Sequence, residues 1–381
     1  MKSFSRSFVH NDMAAVVERL RMTPHLSRAE LGQLLGRTPA TITYVVRELL
    51  DKGIVEEVDT HRSFNGRPRI PLQLNASVTY ALAVNVGISS VTIAVLNFAG
   101  ELIYSEEIPQ SVAAITKGIG VIAEGIKMAF DKTGIQKERF CGVGISIPGI
   151  FNSDKGTVVF APNLPEWTGM SMQELFKAET GLDTVIIEND AKSAALGELW
   201  FGAGKELQDF ICVIGDAGIG AGFVYNREII RGEDNATGEI GHMLVDTDKR
   251  APICGCGNRG CLESVASLSV VRKRIQDGDN LNDVIEQAAS YLGVAFSNLI
   301  NIFSPQALIM LGPMVQEFPE MWTMAVRKTR KRMLPYLLPR IRFLTAELGG
   351  YAPIYGMAGL LFSEVLKPGW SQKQVDSSPR A

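Results

Sequence analysis

Residues 79–104, TYALAVNVGISSVTIAVLNFAGELIY, and residues 209–230, DFICVIGDAGIGAGFVYNREII, follow one pattern. Each reads as an apolar strand, a glycine turn, a second strand, a tight turn and a third strand. Two such hairpin units about one domain apart predict two related α/β lobes with a cleft between them. Each glycine turn would face that cleft, where backbone N–H groups can cradle a phosphate. Hairpins also use glycine for its backbone freedom alone, so the segments between the two units must carry the functional reading.

Two of those segments predict buried strands that end at the cleft. Cys141–Gly149 (CGVGISIPG) is an apolar strand running into a Pro-Gly loop, and 185–190 (VIIEND) is a strand that hands over to a helix at 191–200. Polar residues at the carboxyl end of a buried strand commonly point at ligand, which singles out Asn189 and Asp190. Asp190 could accept a hydrogen bond from a ligand hydroxyl or act as a general base. The pair could equally do no more than cap the helix that follows. A third segment, 238–263 (GEIGHMLVDTDKRAPICGCGNRGCLE), contains His242, Cys254, Cys256 and Cys261. Three thiolates and an imidazole at short, glycine-rich spacing match a closed tetrahedral zinc site, which has no open position for activating water and is therefore structural. Cys141 and Cys212 sit in apolar strands and read as small core residues.

The first 75 residues read differently. Met13, Val16, Val17 and Leu20 recur at helical spacing between Phe8 and Met22, and Pro24 ends that helix. Ser27-Arg28-Ala29-Glu30 is a capping box opening a helix with Leu31, Leu34 and Leu35 on one face. Gly36 permits a turn, Thr38-Pro39 starts a third helix through Ile42, Val45, Val46, Leu49 and Leu50, and Gly53 is placed to stop it. Residues 54–58 and 70–74 look like strands around a basic loop, HRSFNGRPR at 61–69. Three helices alone would also suit a generic bundle; the hairpin makes a winged helix-turn-helix the better reading. Its recognition helix would set Thr38, Ala40, Thr41, Thr43, Tyr44 and Arg47 near the major groove of double-stranded DNA. Arg67 and Arg69 in the wing suit the minor groove. Residues 1–75 hold 11 Lys or Arg against 8 Asp or Glu, and the remainder 27 against 33. A basic head on an acidic body fits a head that meets phosphates.

Composition narrows the class. With 381 residues the chain has room for two or three domains, and 46% hydrophobic with 21% charged residues is ordinary for a soluble protein. There is no apolar secretory leader and no stretch near the ~20 apolar residues a membrane span needs. Five cysteines without a leader point to a reducing, cytoplasmic setting.

Taken in order, VGISIPGIF (143–151), VVFAPNLPEW (158–167), VIIENDAKSAALGELWFGAG (185–204), GEIGHM (238–243) and CGCGNRGCLE (254–263) resemble the ROK family of repressors, open reading frames and sugar kinases, from about residue 8 to 366. The head with NGRPR (65–69) resembles the repressor branch, whose members answer to xylose, glucose or N-acetylglucosamine signals. The resemblance implies an α/β fold: the winged head at 1–75, then an actin-like, sugar-kinase (ribonuclease H-like) body. Its lobes would span 76–190 and 191–366, the second carrying a structural zinc loop and a closing helix, with a disordered tail at 367–381. It implies a sugar pocket of Asn189, Asp190 (the kinase base), Glu239, His242 and Glu263, with Gly149 and Asn163 as lesser members. His242 would face zinc with one ring nitrogen and the sugar with the other. Residues expected at the nucleotide depart from the kinase pattern. Asp-x-Gly-Gly-Thr is replaced by Asn85-Val86-Gly87-Ile88-Ser89, and Gly-Thr-Gly-Ile-Gly-Gly-Gly by Asp216-Ala217-Gly218-Ile219-Gly220-Ala221-Gly222. The third glycine patch reads Gly312-Pro313-Met314. Phosphoryl transfer rests on positioning and charge neutralisation, so no kinase activity is expected. The implied protein is a homodimeric or homotetrameric repressor of sugar-metabolism genes, bound to operator DNA and controlled by a sugar or sugar phosphate. Alternatives are release by a protein inducer, such as a sugar-transport subunit, and an active ATP-dependent sugar kinase.

Overall fold

The computed structural model describes residues 2–58 (side chains from Asn11), 70–88, 90–112, 114–152 and 155–367. The expected wing loop with Arg67 and Arg69, the turn residue Ser89 and the expected tail beyond 367 lie outside the described residues.

The N-terminal helix α1 (Lys2–Met22) starts earlier than its apolar spacing indicates. A two-residue strand β1 (Leu26–Ser27) leads into α2 (Arg28–Leu35), then α3 (Pro39–Asp51), β2 (Val55–Glu57) and β3 (Pro71–Leu74). Ser27 and Glu30 form the reciprocal capping box, and Gly36 closes α2 in the left-handed region at φ 61°. Thr38 caps α3 through the Thr41 amide, with Pro39 in its first turn. Ile42, Val45, Val46 and Leu49 of α3 pack with Val16, Val17, Leu20 and Leu31 in one apolar cluster. Leu34 does not join them and is 52% exposed. At 100° per residue Leu34 and Leu35 flank Leu31 on opposite sides, and only the Leu35 side is covered. β3 pairs antiparallel with both β2 and β1, giving the order β1-β3-β2. Replacing Thr38 with alanine should lower stability by about 1 kcal/mol through the lost cap, read as a lower urea midpoint at unchanged slope, with Thr38→Ser restoring it.

The body repeats one topology twice. In the first unit β4 (Tyr80–Val86), β5 (Val91–Asn97) and β6 (Leu102–Ile108) form antiparallel hairpins, followed by α4 (Ile115–Thr133) and β7 (Phe140–Ile147). A small hairpin, β8 (Ile150–Asn152) with β9 (Thr157–Phe160), then α5 (Met172–Thr180) and β10 (Val185–Asn189) complete it. The sheet order is β10-β7-β4-β5-β6, with β7 parallel to both β4 and β10. All eight β7 residues are buried, as a parallel central strand requires.

The second unit opens with α6 (Asp190–Phe201), then β11 (Phe210–Gly215), β12 (Ile219–Tyr225) and β13 (Glu228–Ile229). Helices α7 (Leu262–Ala266), α8 (Leu268–Gln276) and α9 (Leu281–Phe303) precede β14 (Ala307–Leu311). After α10 (Pro313–Glu317) and α11 (Pro319–Arg332) come β15 (Arg342–Thr345) and α12 (Ala352–Val365). Its order, β13-β12-β11-β14-β15, again joins antiparallel hairpins to two parallel strands. The last helix, α12, packs on the first sheet, where Met357, Leu361 and Phe362 share a cluster with Ala81, Ala83 and Ala94. It also crosses α6 backbone to backbone: a Cβ at Gly356 would lie 1.8 Å from the Ser193 carbonyl oxygen, and one at Gly197 2.0 Å from that of Ala352. Among the described residues, no helix is long and apolar enough to cross a membrane.

Candidate functional site

The carboxyl ends of β7 and β10 and the glycine turns of both units converge on a cleft of about 110 Å³, room for several water-sized groups. Gly149, Asn163, Asn189, Asp190, Glu239, His242 and Glu263 all line it, so the seven residues singled out above meet in space although they span more than a hundred positions.

Asn189 has two jobs. Its Oδ1 accepts from the Ala191 and Lys192 amides at 3.0 and 3.1 Å, which makes it the N-cap of α6. Its Nδ2 donates to the Gly149 carbonyl at 3.2 Å, tying the end of β10 to the loop after β7. Asn189 therefore caps α6 and lines the cleft at the same time. Asp190 accepts from the Ala191 amide at 2.9 Å. Burial pushes its carboxyl up to about 6, and Glu239 and Asp216 add to the rise. Glu239 is raised by burial as well, with Lys192 and His242 opposing. Glu263 Oε2 accepts from the Ile219 amide at 3.0 Å and so anchors the second glycine turn. A Cβ at Gly218 would sit 2.5 Å from that oxygen, so a larger residue there would push the carboxylate aside.

Beneath the cleft is a polar layer that the sequence motifs did not reveal. Lys192, 1% exposed, donates to the Asn235 carbonyl at 2.9 Å. Glu188 pairs with Arg231 at 2.8 Å and accepts from Asn235 Nδ2 at 3.3 Å. Burial pushes the Lys192 ammonium down, while Glu188, Glu239 and Asp190 hold it up. A lone long cation among the small residues of DAKSAALG was the available signal: such a helix face is buried, and a buried ammonium needs acidic partners.

The four metal-type donors also meet. His242, Cys254, Cys256 and Cys261 bring their ligand atoms within 4.8 Å of one another. Tetrahedral zinc with ordinary bond lengths requires edges of about 3.8 Å between sulfurs and about 3.6 Å between nitrogen and sulfur. The Cys256–Cys261 separation is 3.8 Å and His242 Nδ1 lies 3.5 Å from Cys254 Sγ, so the donor set fits a closed tetrahedral ion. With Nδ1 turned to the thiols, Nε2 is the nitrogen left for the cleft. Cys141 and Cys212 are buried away from this cluster.

The glycine turns are not equivalent. Gly87 and Ile88 of the first, and Asp216, Ala217 and Gly218 of the second, line the cleft. The second is fixed from behind, its Asp216 and Ala217 carbonyls accepting from the Leu268 amide and Ser269 hydroxyl. Gly312, at φ 104°, packs its Cα side against the Gly215 backbone and is not among the cleft residues.

On the head, Thr38, Ala40, Thr43, Tyr44 and Arg47 are exposed and Thr41 is half-buried. The threonine hydroxyls are engaged locally, Thr38 with Thr41 at 2.9 Å and Thr43 with the Pro39 carbonyl at 2.8 Å. Arg47 lies over the Tyr44 ring at 5.6 Å, leaving those two as the long side chains projecting from α3.

The ROK family model matches residues 81–364: the chain belongs to the ROK family. It is 28% identical over 375 residues to the xylose repressor of Bacillus subtilis strain 168, covering 93% of this chain and 96% of that one. To the DNA-binding transcriptional dual regulator NagC of Escherichia coli K12 it is 26% identical over 333 residues, 80% of each. Among solved structures, a ROK family transcriptional regulator, a homolog of the E. coli MLC protein, aligns at a TM-score of 0.74 with 26% identity, covering 94% of this chain and 97% of that one. A ROK glucokinase from Streptomyces griseus, in complex with glucose and AMPPNP, aligns at 0.64 with 25% identity, covering 74% of this chain and 98% of its own. The xylose repressor and the MLC homolog thus match the chain nearly end to end, while the kinase is used up with a quarter of this chain left over.

Proposed function

We propose that this protein is a sequence-specific transcriptional repressor of sugar-metabolism genes, controlled by a sugar bound in the cleft between the two units. The observation that carries it is the end-to-end match to ROK repressors, together with a cleft on which all seven sugar-type residues converge. In this reading residues 1–75 form a winged helix-turn-helix. Tyr44 and Arg47 reach base edges from α3, Thr38, Ala40, Thr41 and Thr43 lie against the groove, and Arg67 and Arg69 sit in the wing. Residues 76–190 and 191–366 are the two lobes, with α12 of the second crossing back to cover the first sheet. The protein works in the cytoplasm as a homodimer or homotetramer on a palindromic operator.

Charge favours an uncharged sugar over a sugar phosphate. Asp190, Asp216, Glu239 and Glu263 all line the cleft, and no Lys or Arg does among the described residues. Carboxylates accept from sugar hydroxyls, whereas a phosphate beside them would meet like charge without a basic partner. The same charges argue against ATP. Asp216 and Ile88 stand where a kinase needs phosphate-binding backbone, and Asn85 lacks the charge to help hold Mg²⁺, so the body binds without turnover. The metal is a structural zinc held by His242, Cys254, Cys256 and Cys261.

Footprinting of genomic duplexes, with and without D-xylose, D-glucose, N-acetyl-D-glucosamine and their phosphates, tests this directly. A palindromic footprint, steeply salt-dependent and released by one neutral sugar, is the expected result. A protein that leaves no footprint overturns the reading. Release only by a phosphorylated sugar overturns the charge argument, and phosphorylation of a hexose by ATP and Mg²⁺ overturns the absence of catalysis.

A further inference from the structure

Helix α6 starts in the cleft and ends at the head. Asn189 and Asp190 stand at its first turn, and its 12 residues extend about 18 Å to Phe201. Every residue from Ala191 to Leu199 is buried, and the backbone contacts with α12 at Gly197 and Gly356 leave no soft side-chain layer to absorb a shift. Such a helix moves as a unit.

Two arginines join its far end to α1. Arg21, in the last turn of α1, places its guanidinium 5.0 Å from the Phe201 ring centre, 5.7 Å from Phe98 and 5.9 Å from Phe362. These three rings come from α6, the β5–β6 turn and α12. The guanidinium also donates to the Phe98 carbonyl at 3.4 Å, and its buried Nε has no hydrogen-bond partner. A desolvated cation held chiefly by ring faces is sensitive to where those rings stand. Arg227, in the β12–β13 turn, donates to the carbonyls of Lys205 at 2.7 Å and Leu207 at 2.8 Å, just beyond α6, and to Glu18 of α1. The apolar core of the head continues without a break through Val78 and Phe98 into α12.

We propose that α6 is the element through which the cleft governs the head, and that Arg21, seated in the Phe98–Phe201–Phe362 cage, is the positioning residue that receives its movement, with Glu18–Arg227 as a second tie. A ligand that draws in Asn189 and Asp190 displaces the start of α6. The displacement arrives at Phe201 and the 202–207 loop and alters the seat of α1, on which α3 packs. This rests on the sugar-controlled repressor reading and names its route.

Linkage makes the test quantitative. If sugar weakens operator binding by some factor, operator must weaken sugar binding by the same factor. The full-length protein is assayed with an operator selected from random duplexes by the wild type, and with whichever of D-xylose, D-glucose and N-acetyl-D-glucosamine the wild type binds most tightly. We expect a reciprocal effect of about fivefold or more in the wild type. In Arg21→Ala, sugar affinity without DNA should stay within about twofold while both coupling factors fall below about twofold. Arg21→Lys keeps a cation among the rings and should recover part of the coupling, which a merely structural role does not predict. Glu18→Gln, a milder change that leaves the cage intact, should lower the factor by an intermediate amount. Wild-type coupling in both Arg21→Ala and Glu18→Gln overturns the route and leaves the repressor reading standing. A wild type that binds no sugar, or binds it without effect on the operator, overturns both.

Discussion

Cys256→Ser should weaken the protein's hold on its metal and loosen the cleft with it. Purified wild type should carry about one zinc per chain, whereas the variant, with three donors and water in the fourth position, should hold it more weakly and give it up to a chelator that the wild type resists. The run from Leu244 to Arg259 has little apolar burial of its own: Leu244 and Ile253 are 61% and 62% exposed. It is held by isolated bridges, Leu244 to Cys261 and Ile253 to Arg259, and by the four donors. Losing the ion should cost about 3–5 kcal/mol, the range reached by losses of metal sites, seen as a lower melting temperature of the second unit. Because His242 belongs to both the donor set and the cleft, sugar affinity should fall by about 10–100-fold, the scale seen when the support of a metal-site residue is removed. Cys212→Ala, which removes a buried thiol away from the cluster, should keep the full metal content. Zinc held as tightly in Cys256→Ser as in the wild type would show that the cluster does not hold the ion in this way.

Asp190→Asn should stabilise the fold and destroy its response. The Asp190 carboxyl is raised from 3.8 to about 6, so the folded protein binds a proton there more tightly than the unfolded chain does. Stability from this group is therefore greatest below pH 3.8 and is lost as pH rises towards 6. At neutral pH the buried charge costs about 1–3 kcal/mol, at about 1.4 kcal/mol per pKa unit. Asparagine keeps the acceptor for the Ala191 amide and removes the charge. The variant should unfold at higher urea than wild type at pH 7.5, and the gap should close by about pH 4. Sugar binding should weaken by about 10–100-fold, the worth of a hydrogen bond to a charged acceptor. Wild-type affinity should itself decline below about pH 6 as the carboxyl protonates, while the variant stays flat. Operator affinity without sugar should be unchanged, giving a repressor that no longer releases. An Asp190→Asn protein that binds sugar normally would remove Asp190 from the pocket. This trade of stability for binding is what a functional carboxylate in a partly desolvated cleft should show.

Much of the architecture is local enough to be read along the chain. The capping box at Ser27 and Glu30, the Thr38-Pro39 helix start and the two doubled hairpins are interactions between residues a few positions apart. The donor set was legible because chemistry restricts it: few environments need three thiols and an imidazole within twenty residues. Leu34 was misplaced since spacing fixes a helix face only to within a flank, and a neighbouring element decides which flank is covered. Strand β1 was invisible because two residues have no period, and their partner in β3 is more than forty positions away.

Sequence by itself determined the doubled body, the cluster of one histidine and three cysteines, seven residues of the cleft and the exposed face of α3. Tertiary structure decided how these are joined. It put Asn189 to work as cap and tether together, and set Lys192, Glu188, Arg231 and Asn235 beneath the cleft. It returned α12 to the first sheet and seated Arg21 among rings from three separate segments. The reason is physical: caps, turns and ligand spacings are paid for within a few residues and leave their mark there. A cation among three rings, or two helices meeting at Gly197 and Gly356, draws its energy from partners that only the folded chain brings together.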